Sequence, residues 1–315
     1  MTGERFLVTG ALGCIGAWVV RNLVRAGARP VAFDLVNNPR RMRLIMTPEE
    51  LGQVTFVTGD ITDLASVERA LDEHAISHVI HLAALQVPFC KADPALGARV
   101  NVVGTVNLFQ ALAQRRDRIG RLVYASSVAV YDAADAGPGG LAPHGGAGTP
   151  TTLYGVYKQA NEGTARIFWQ DSRVSSIGLR PCVVYGPGRD QGLTSAPTLA
   201  MRAAAAGQSY RIGFGGRTDY HYADDVAKMF IAAARAPFSG ADIFNLRGSV
   251  ATMDEMVAAI RDAVPGAQID YDPVPLPFPE EYDAAPLAEL IGPLPVTPLR
   301  QAVAETVAVF RAKAE

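Results

Sequence analysis

Short apolar runs alternate with stretches of helical period through the first half of the chain. The runs Arg5–Thr9, Pro30–Asp34, Val54–Thr58, His78–Leu82, Arg121–Ala125 and Val174–Arg180 are rich in β-branched residues. Between them, Ile15–Ala26, Leu64–Glu73, Ala98–Arg115 and Tyr154–Trp169 repeat apolar side chains at helical spacing. Strands that are apolar on both faces, each followed by a helix, predict an α/β fold: a parallel sheet covered by helices on both sides. Two stretches break the pattern. Residues 132–150, DAADAGPGGLAPHGGAGTP, are too rich in Gly, Pro and Ala for a regular element and read as a mobile loop. Residues 273–298 carry eight prolines and read as an irregular wrap, after which an amphipathic helix over Leu299–Ala312 closes the chain. No repeat with the period of a solenoid or propeller is present.

The first run leads into TGALGCIG, which places Gly10, Gly13 and Gly16 at a strand-to-helix turn. Glycines here permit the tight turn, the approach of backbone to a pyrophosphate, and close packing of helix on strand. The helix N-terminus then offers free N–H groups and a positive dipole end to the phosphates. Asp34 ends the second run, 18 residues after Gly16, where its carboxylate can accept both adenosine ribose hydroxyls and repel a 2′-phosphate. These features predict a Rossmann-type doubly wound sheet binding NAD in preference to NADP, although Arg40 and Arg41 lie a few residues on and leave NADP open. Residues 1–180 then form the dinucleotide-binding domain with a returning segment at about 217–247, and 181–315 form a smaller, mainly substrate-binding region.

Composition narrows the partners. The 315 residues are 49% apolar and 19% charged, with a formal charge of −2, so no basic excess points to nucleic acid or an anionic membrane. Cys14, Cys90 and Cys182 are scattered, match no zinc spacing or disulfide framework, and suit a reducing, cytoplasmic setting. The first strand begins at Arg5, which leaves no room for a signal peptide, and no apolar run reaches 18 residues.

The motifs together resemble the extended short-chain dehydrogenase/reductase family, the NAD-dependent epimerase/dehydratase group, over about residues 4–247. They occur in the family's order: TGALGCIG, GDITD (59–63), HLAA (81–84), ASSVAVY (125–131), YGVYK (154–158), LRPCVVYGPG (179–188) and DYHYADDVA (219–227). The resemblance implies that Gly10, Gly13, Cys14, Ile15 and Gly16 hold the diphosphate. Asp60 and the backbone of Ile61 would face the adenine, and Leu82, Ala83 and Ala84 would run under the diphosphate and ribose. Asn101, Ala125, Pro181 and Val183 complete the implied cofactor contacts. Ser127, Tyr154 and Lys158 would be the catalytic residues, and relatives pair the two helices corresponding to Ala98–Arg115 and Tyr154–Trp169 into homodimers. Ile167, Phe168 and Trp169 add apolar surface there.

On a helix Tyr154 and Lys158, four apart, share a face, whereas Tyr157 points elsewhere and reads as packing. A phenol titrates near pH ~10, so a nearby ammonium and an oxidised nicotinamide are expected to lower the pKa of Tyr154 enough for it to act as a base. Lys158 also holds the nicotinamide ribose in the family. Ser127 would orient the reacting oxygen. His81, Cys90 and Cys182 read as structural, and Asp224 and Asp225 as helix-start caps.

The substrate is less legible. Nucleotide-sugar members of the family often carry Asn just before VYGP and Arg just before DY or DF. Here those positions are Val183 and Thr218, with Arg217 one residue back. Val128 and Ala129 follow Ser127, where 4,6-dehydratases carry Asp-Glu, and Ala129 replaces the cysteine of 3,5-epimerising reductases. The sequence therefore favours a dehydrogenase for a small polar substrate: a sugar, sugar acid or related polyol. A nucleotide-sugar epimerase and a non-catalytic NAD sensor are the alternatives. Gln86 in the Gln86–Lys91 loop, the loop at 132–150, and Gly188–Arg217 are the candidate specificity elements, and Arg189, Arg202, Arg211 and Arg217 offer positive charge for a carboxylate.

Overall fold

A seven-stranded parallel sheet forms the centre of the computed structural model, which describes residues 3–313. Its strands are β1 (Arg5–Thr9), β2 (Arg29–Asp34), β3 (Thr55–Thr58), β4 (His78–His81), β5 (Leu122–Ala125), β6 (Ser176–Arg180) and, after an excursion into the C-terminal half, β9 (Ala241–Asn245). The order is β9-β6-β5-β4-β1-β2-β3. The excursion contains β7 (Val183–Tyr185) and β8 (Arg217–Tyr222), which join β10 (Ser249–Thr252) in a small second sheet.

Strand period decides which core each side chain enters. Phe6 and Val8 of β1 point to one face and Leu7 to the other, so both faces need cover. Helix α1 (Cys14–Arg25) packs with α6 (Ala223–Arg235) on the first face. The second face is covered by α2 (Leu64–Glu73), α3 (Gly104–Ala113) and α4 (Leu153–Ser172). The C-terminal region adds α5 (Ala196–Ala205), α7 (Met253–Ala263) and α8 (Leu299–Ala312). Met201, Tyr220, Met256 and Val303 of that region share one apolar cluster with Phe6 and Trp18, so the two regions have a common core. Among the described residues no helix is long and apolar enough to cross a membrane.

Four local expectations are corrected. The span Ala98–Arg115 is not one regular helix: a wide turn at Arg99–Val103 precedes α3. That turn leaves the carbonyl of Asn101 free to accept from Asn161 Nδ2 at 2.9 Å and Thr105 Oγ1 at 2.7 Å. Residues 132–150 do hold regular elements, two short 3₁₀ turns and a two-residue strand, Leu141–Ala142, paired with Glu281–Tyr282. There the Asp135 carboxylate supplies the order that Gly and Pro withhold, accepting from the N–H groups of Asp132 and Thr149. The proline-rich stretch likewise contains a helix, Ala285–Ile291, with Pro286 in its first turn, where its missing N–H is not needed. Asp224 and Asp225 do not cap α6: Asp224 accepts from Asn22 and Asp225 from the N–H and hydroxyl of Thr297, tying α6 to its neighbours.

Candidate active site

The strand order reverses between β1 and β4, and a cavity of about 780 Å³ opens at the carboxyl ends of the strands there. Its floor is the glycine turn. Gly10 has φ +66°, and a Cβ on it would lie 2.6 Å from the backbone nitrogen of Ala83, so the β1 and β4 termini approach as only glycine allows. Gly13 stands at the start of α1 in extended conformation with no side-chain cap. The first N–H groups of α1 therefore have no intrahelical partner and face the cavity beside Cys14, Ile15 and Gly16.

Asp34 closes the adenosine end. Its Oδ2 accepts from Leu12 N and its Oδ1 from Leu35 N, both at 2.9 Å. Burial raises its pKa, against the pull of those two N–H groups and of Arg41. Asp60 lines the same end and turns its loop by accepting from Thr62 N at 2.8 Å. Ile61 is held through its carbonyl by Asn107 Nδ2 at 3.0 Å. Leu82, Ala83 and Ala84 run along the wall, and Ala125, Pro181 and Val183 close the far side. The uncapped helix start, the glycine floor and the ribose-end carboxylate fit a dinucleotide.

The opposite end of the cavity is built by α4. Thr152 caps that helix by accepting from Gly155 N at 3.1 Å. Tyr154 and Lys158 face the cavity, whereas the Tyr157 hydroxyl donates to Pro94 O at 2.9 Å on another face. Ser127 caps the 3₁₀ turn Val128–Val130 by accepting from Ala129 N at 3.1 Å, and it lines the cavity together with Tyr154. Lys158 Nζ donates to Ala125 O at 2.6 Å and lies 5.6 Å from the centre of the Tyr154 ring.

Burial dominates the electrostatics of the protein groups themselves. Burial pushes the Tyr154 phenol up rather than down, opposed by the Ser127 hydroxyl and the Arg189 charge. Lys158 is lowered to about 8 by burial, opposed by Cys90 and Glu162. His81 is held between Thr9 and Thr105 hydroxyls and lowered to about 3 by burial, a neutral structural imidazole. Burial raises the Cys14 thiol to about 11, the Cys182 thiol to about 12, and the Cys90 thiol above its ordinary range, so none is an activated nucleophile.

Most of the residues expected from sequence come together here, but Asn101, Arg202, Arg211, Arg217 and the 132–150 loop do not line the cavity, and Arg211 is paired with Asp272 instead. Asn101 is buried behind the wall, where its amide bonds both the N–H and the carbonyl of Leu85 and so positions the segment that carries Gln86. Arg217 lies outside the cavity, ion-paired with Glu280 and Glu281. Gln86 and Arg189 do line the substrate end, and Arg189 Nη2 donates to Thr194 Oγ1 at 2.9 Å. Sequence reasoning missed Leu276, Pro277 and Phe278, which return from the proline-rich stretch to form an apolar wall. It also missed Glu162, one further turn along the Tyr154–Lys158 face. The spacing of four was the available signal. Glu162 pairs with buried Arg180 at 2.7 Å and accepts from Ser126, the neighbour of Ser127.

Comparison with known proteins gives a consistent picture. The profile of the family described as the NAD dependent epimerase/dehydratase family matches residues 6–246. A UDP-glucose 4-epimerase from Mycolicibacterium smegmatis is 32% identical over 321 residues, covering 99% of this chain and 100% of that one. The UDP-glucose 4-epimerase of Thermus thermophilus, solved in complex with NAD, is 26% identical, with a TM-score of 0.82 over 98% of this chain and 99% of that one. An L-threonine dehydrogenase from Cupriavidus necator in its holo form shares the fold, with a TM-score of 0.83 at 24% identity over 97% of this chain and 99% of that one.

Proposed function

The chain belongs to the NAD dependent epimerase/dehydratase family and takes NAD as its cofactor, and from that premise we propose that it is a dehydrogenase acting on an alcohol carbon of a small polar substrate. A sugar, sugar acid or related polyol is the substrate class. The observation that carries this reading is the placement of Arg217. The guanidinium nearest to the family's diphosphate-holding position is turned outward to Glu280 and Glu281, and buried Thr218 stands at the position itself. Val183 likewise offers no amide. Without those groups a nucleotide diphosphate loses its bidentate partner.

Bound NAD supplies the hydride acceptor and a positive ring beside the phenol. In this reading Tyr154 takes the hydroxyl proton of the substrate as the carbon loses hydride, and Ser127 fixes the reacting oxygen. The ammonium of Lys158, anchored on Ala125 O, favours the phenolate once the site is filled. Leu276, Pro277 and Phe278 exclude water from the reacting carbon.

The second reading, a nucleotide-sugar epimerase, is favoured by the likeness to the Mycolicibacterium smegmatis enzyme along the whole chain. One experiment separates them. The protein is incubated with NAD and, in turn, sugars, sugar acids, polyols and nucleotide sugars, and both NADH absorbance and isomer composition are followed. Net NADH with a free sugar, sugar acid or polyol supports the dehydrogenase. Isomerisation of a nucleotide sugar without net NADH overturns it.

We also place the homodimer contact on the outer face of α4 and the turn before α3. Val103, Leu153, Val156 and Ile167 are exposed there, whereas Phe168 turns inward to stack on Phe109. Sedimentation of Val156→Glu as a monomer, against a wild-type dimer, tests this; a wild-type monomer at micromolar concentration refutes it.

A further inference from the structure

Asp190 lies on the loop after β7, in the substrate-binding region, and reaches across the cavity to the segment after β2. Its Oδ2 lies 2.8 Å from Arg40 Nη2, and its Oδ1 accepts from Arg41 Nη2 at 2.7 Å and Nε at 3.1 Å. Arg41 also donates through Nη1 to Leu12 O at 3.1 Å, next to the Leu12 N–H that binds Asp34. Asp34, Arg40, Arg41 and Asp190 all line the adenosine end of one cavity.

The charges there cancel: two guanidinium groups against two carboxylates. A 2′-phosphate on the adenosine ribose would carry about −1.5 to −2 and would need a net positive site. Both arginines that could provide one are already engaged by a single carboxylate, and Arg41 lies near enough to Asp34 to act on its charge. Engaging them requires no change in Asp34 itself, so discrimination against the phosphate has a second source.

We propose that Asp190 is a cofactor-specificity residue: by holding Arg40 and Arg41 it removes the positive charge that a 2′-phosphorylated adenosine ribose would need, and so reinforces Asp34 in selecting NAD over NADP. The loop that carries Asp190 is seated independently. Trp18 Nε1 donates to Pro187 O at 3.0 Å, and Gly186 N donates to Thr198 Oγ1 at 3.1 Å. Asp190 therefore acts on charge, and its removal leaves the loop two other anchors.

Titration of the purified protein with NADH and with NADPH, by calorimetry or by quenching of protein fluorescence, tests this through binding alone. Asp190→Asn keeps the shape and removes the charge. It is expected to tighten NADPH by about tenfold relative to NADH, and the gain is expected to shrink as salt rises. Arg40→Gln, at a side chain 54% exposed, leaves Asp190 less compensated and is expected to weaken NADPH by a few-fold with little effect on NADH. If Asp190→Asn loosens both dinucleotides equally, or leaves their ratio unchanged, the residue only seats the loop and the proposal fails. If Asp190→Asn does not fold, Arg40→Gln decides alone, and unchanged or tighter NADPH binding overturns the proposal.

Discussion

A Cβ on Gly155 would fall 2.0 Å from the carbonyl oxygen of Ala129, so the first turn of α4 rests directly on the 3₁₀ turn that Ser127 caps. The contact fixes the spacing of Tyr154 and Ser127 without either residue doing the fixing. Gly155→Ala must lift α4 off that turn. It is expected to lower Tm, with about 1–3 kcal/mol of overpacking, and to reduce kcat by about tenfold or more through misplacement of the phenol. NAD affinity changes less, because Gly10–Gly16 and Asp34 lie on other elements. A variant with wild-type kcat removes this contact from the account of catalysis.

The two tyrosines of YGVYK make the sharpest comparison. Tyr154→Phe keeps the ring and removes only the proton-carrying oxygen, so turnover is expected to fall by about 10²–10⁴-fold with NAD binding nearly intact. Tyr157→Phe loses one exposed hydrogen bond to Pro94 O, and its cost is a few-fold at most. Assay of both variants on one substrate decides the assignment; if Tyr157→Phe is the inactive one, α4 presents a different face to the cofactor.

Much of this site was legible in the sequence because local rules specify it. Strand period, the glycine turn and the four-residue spacing of Tyr154 and Lys158 each depend on neighbours within a few residues. What escaped depends on chain segments far apart. Nothing local says that Asp190 meets Arg40 and Arg41, that Leu276–Phe278 returns to the cavity, or that Arg217 turns away to Glu280. The 132–150 stretch failed for the opposite reason. Gly and Pro content argued against regular elements, but Asp135 supplies the missing bonds from its side chain. For Tyr154, sequence shows the neighbouring ammonium and hides the burial that raises the phenol.

Burial lowers Lys158 from 10.5 to about 8, which makes stability depend on alkaline pH. Between those values the unfolded chain binds more protons at this site than the folded one, so the contribution of Lys158 to stability grows as pH rises through the window. Below about 8 the lysine is charged in both states and the cost of burying it is present in full. Lys158→Met is therefore expected to be the more stable protein at pH ~7, by on the order of 1–3 kcal/mol. The gap closes toward pH ~10. Thermal denaturation of the two proteins across that range checks it, and a gap that stays constant with pH rules out this origin.

Glu162 and Arg180 test what the buried face behind the site contributes. Arg180 is fully enclosed, with Nε 2.8 Å from Glu162 Oε1 and Nη2 2.7 Å from Oε2, and it also donates to Tyr131 and to Gly146 O. Glu162→Gln leaves that guanidinium charged and uncompensated in the core, so a loss of about 3–5 kcal/mol is expected in urea unfolding. Replacing both partners by apolar residues of similar volume, Glu162→Leu with Arg180→Met, is expected to recover much of that loss, because the desolvation cost of the two charges disappears with them. The double variant still lacks the acceptor for Ser126, so the segment that carries Ser127 is less constrained. Stability and activity are therefore expected to separate: the double variant regains its unfolding midpoint but keeps a reduced kcat. Recovery of both together would mean that the pair serves the core alone and has no part in holding Ser127.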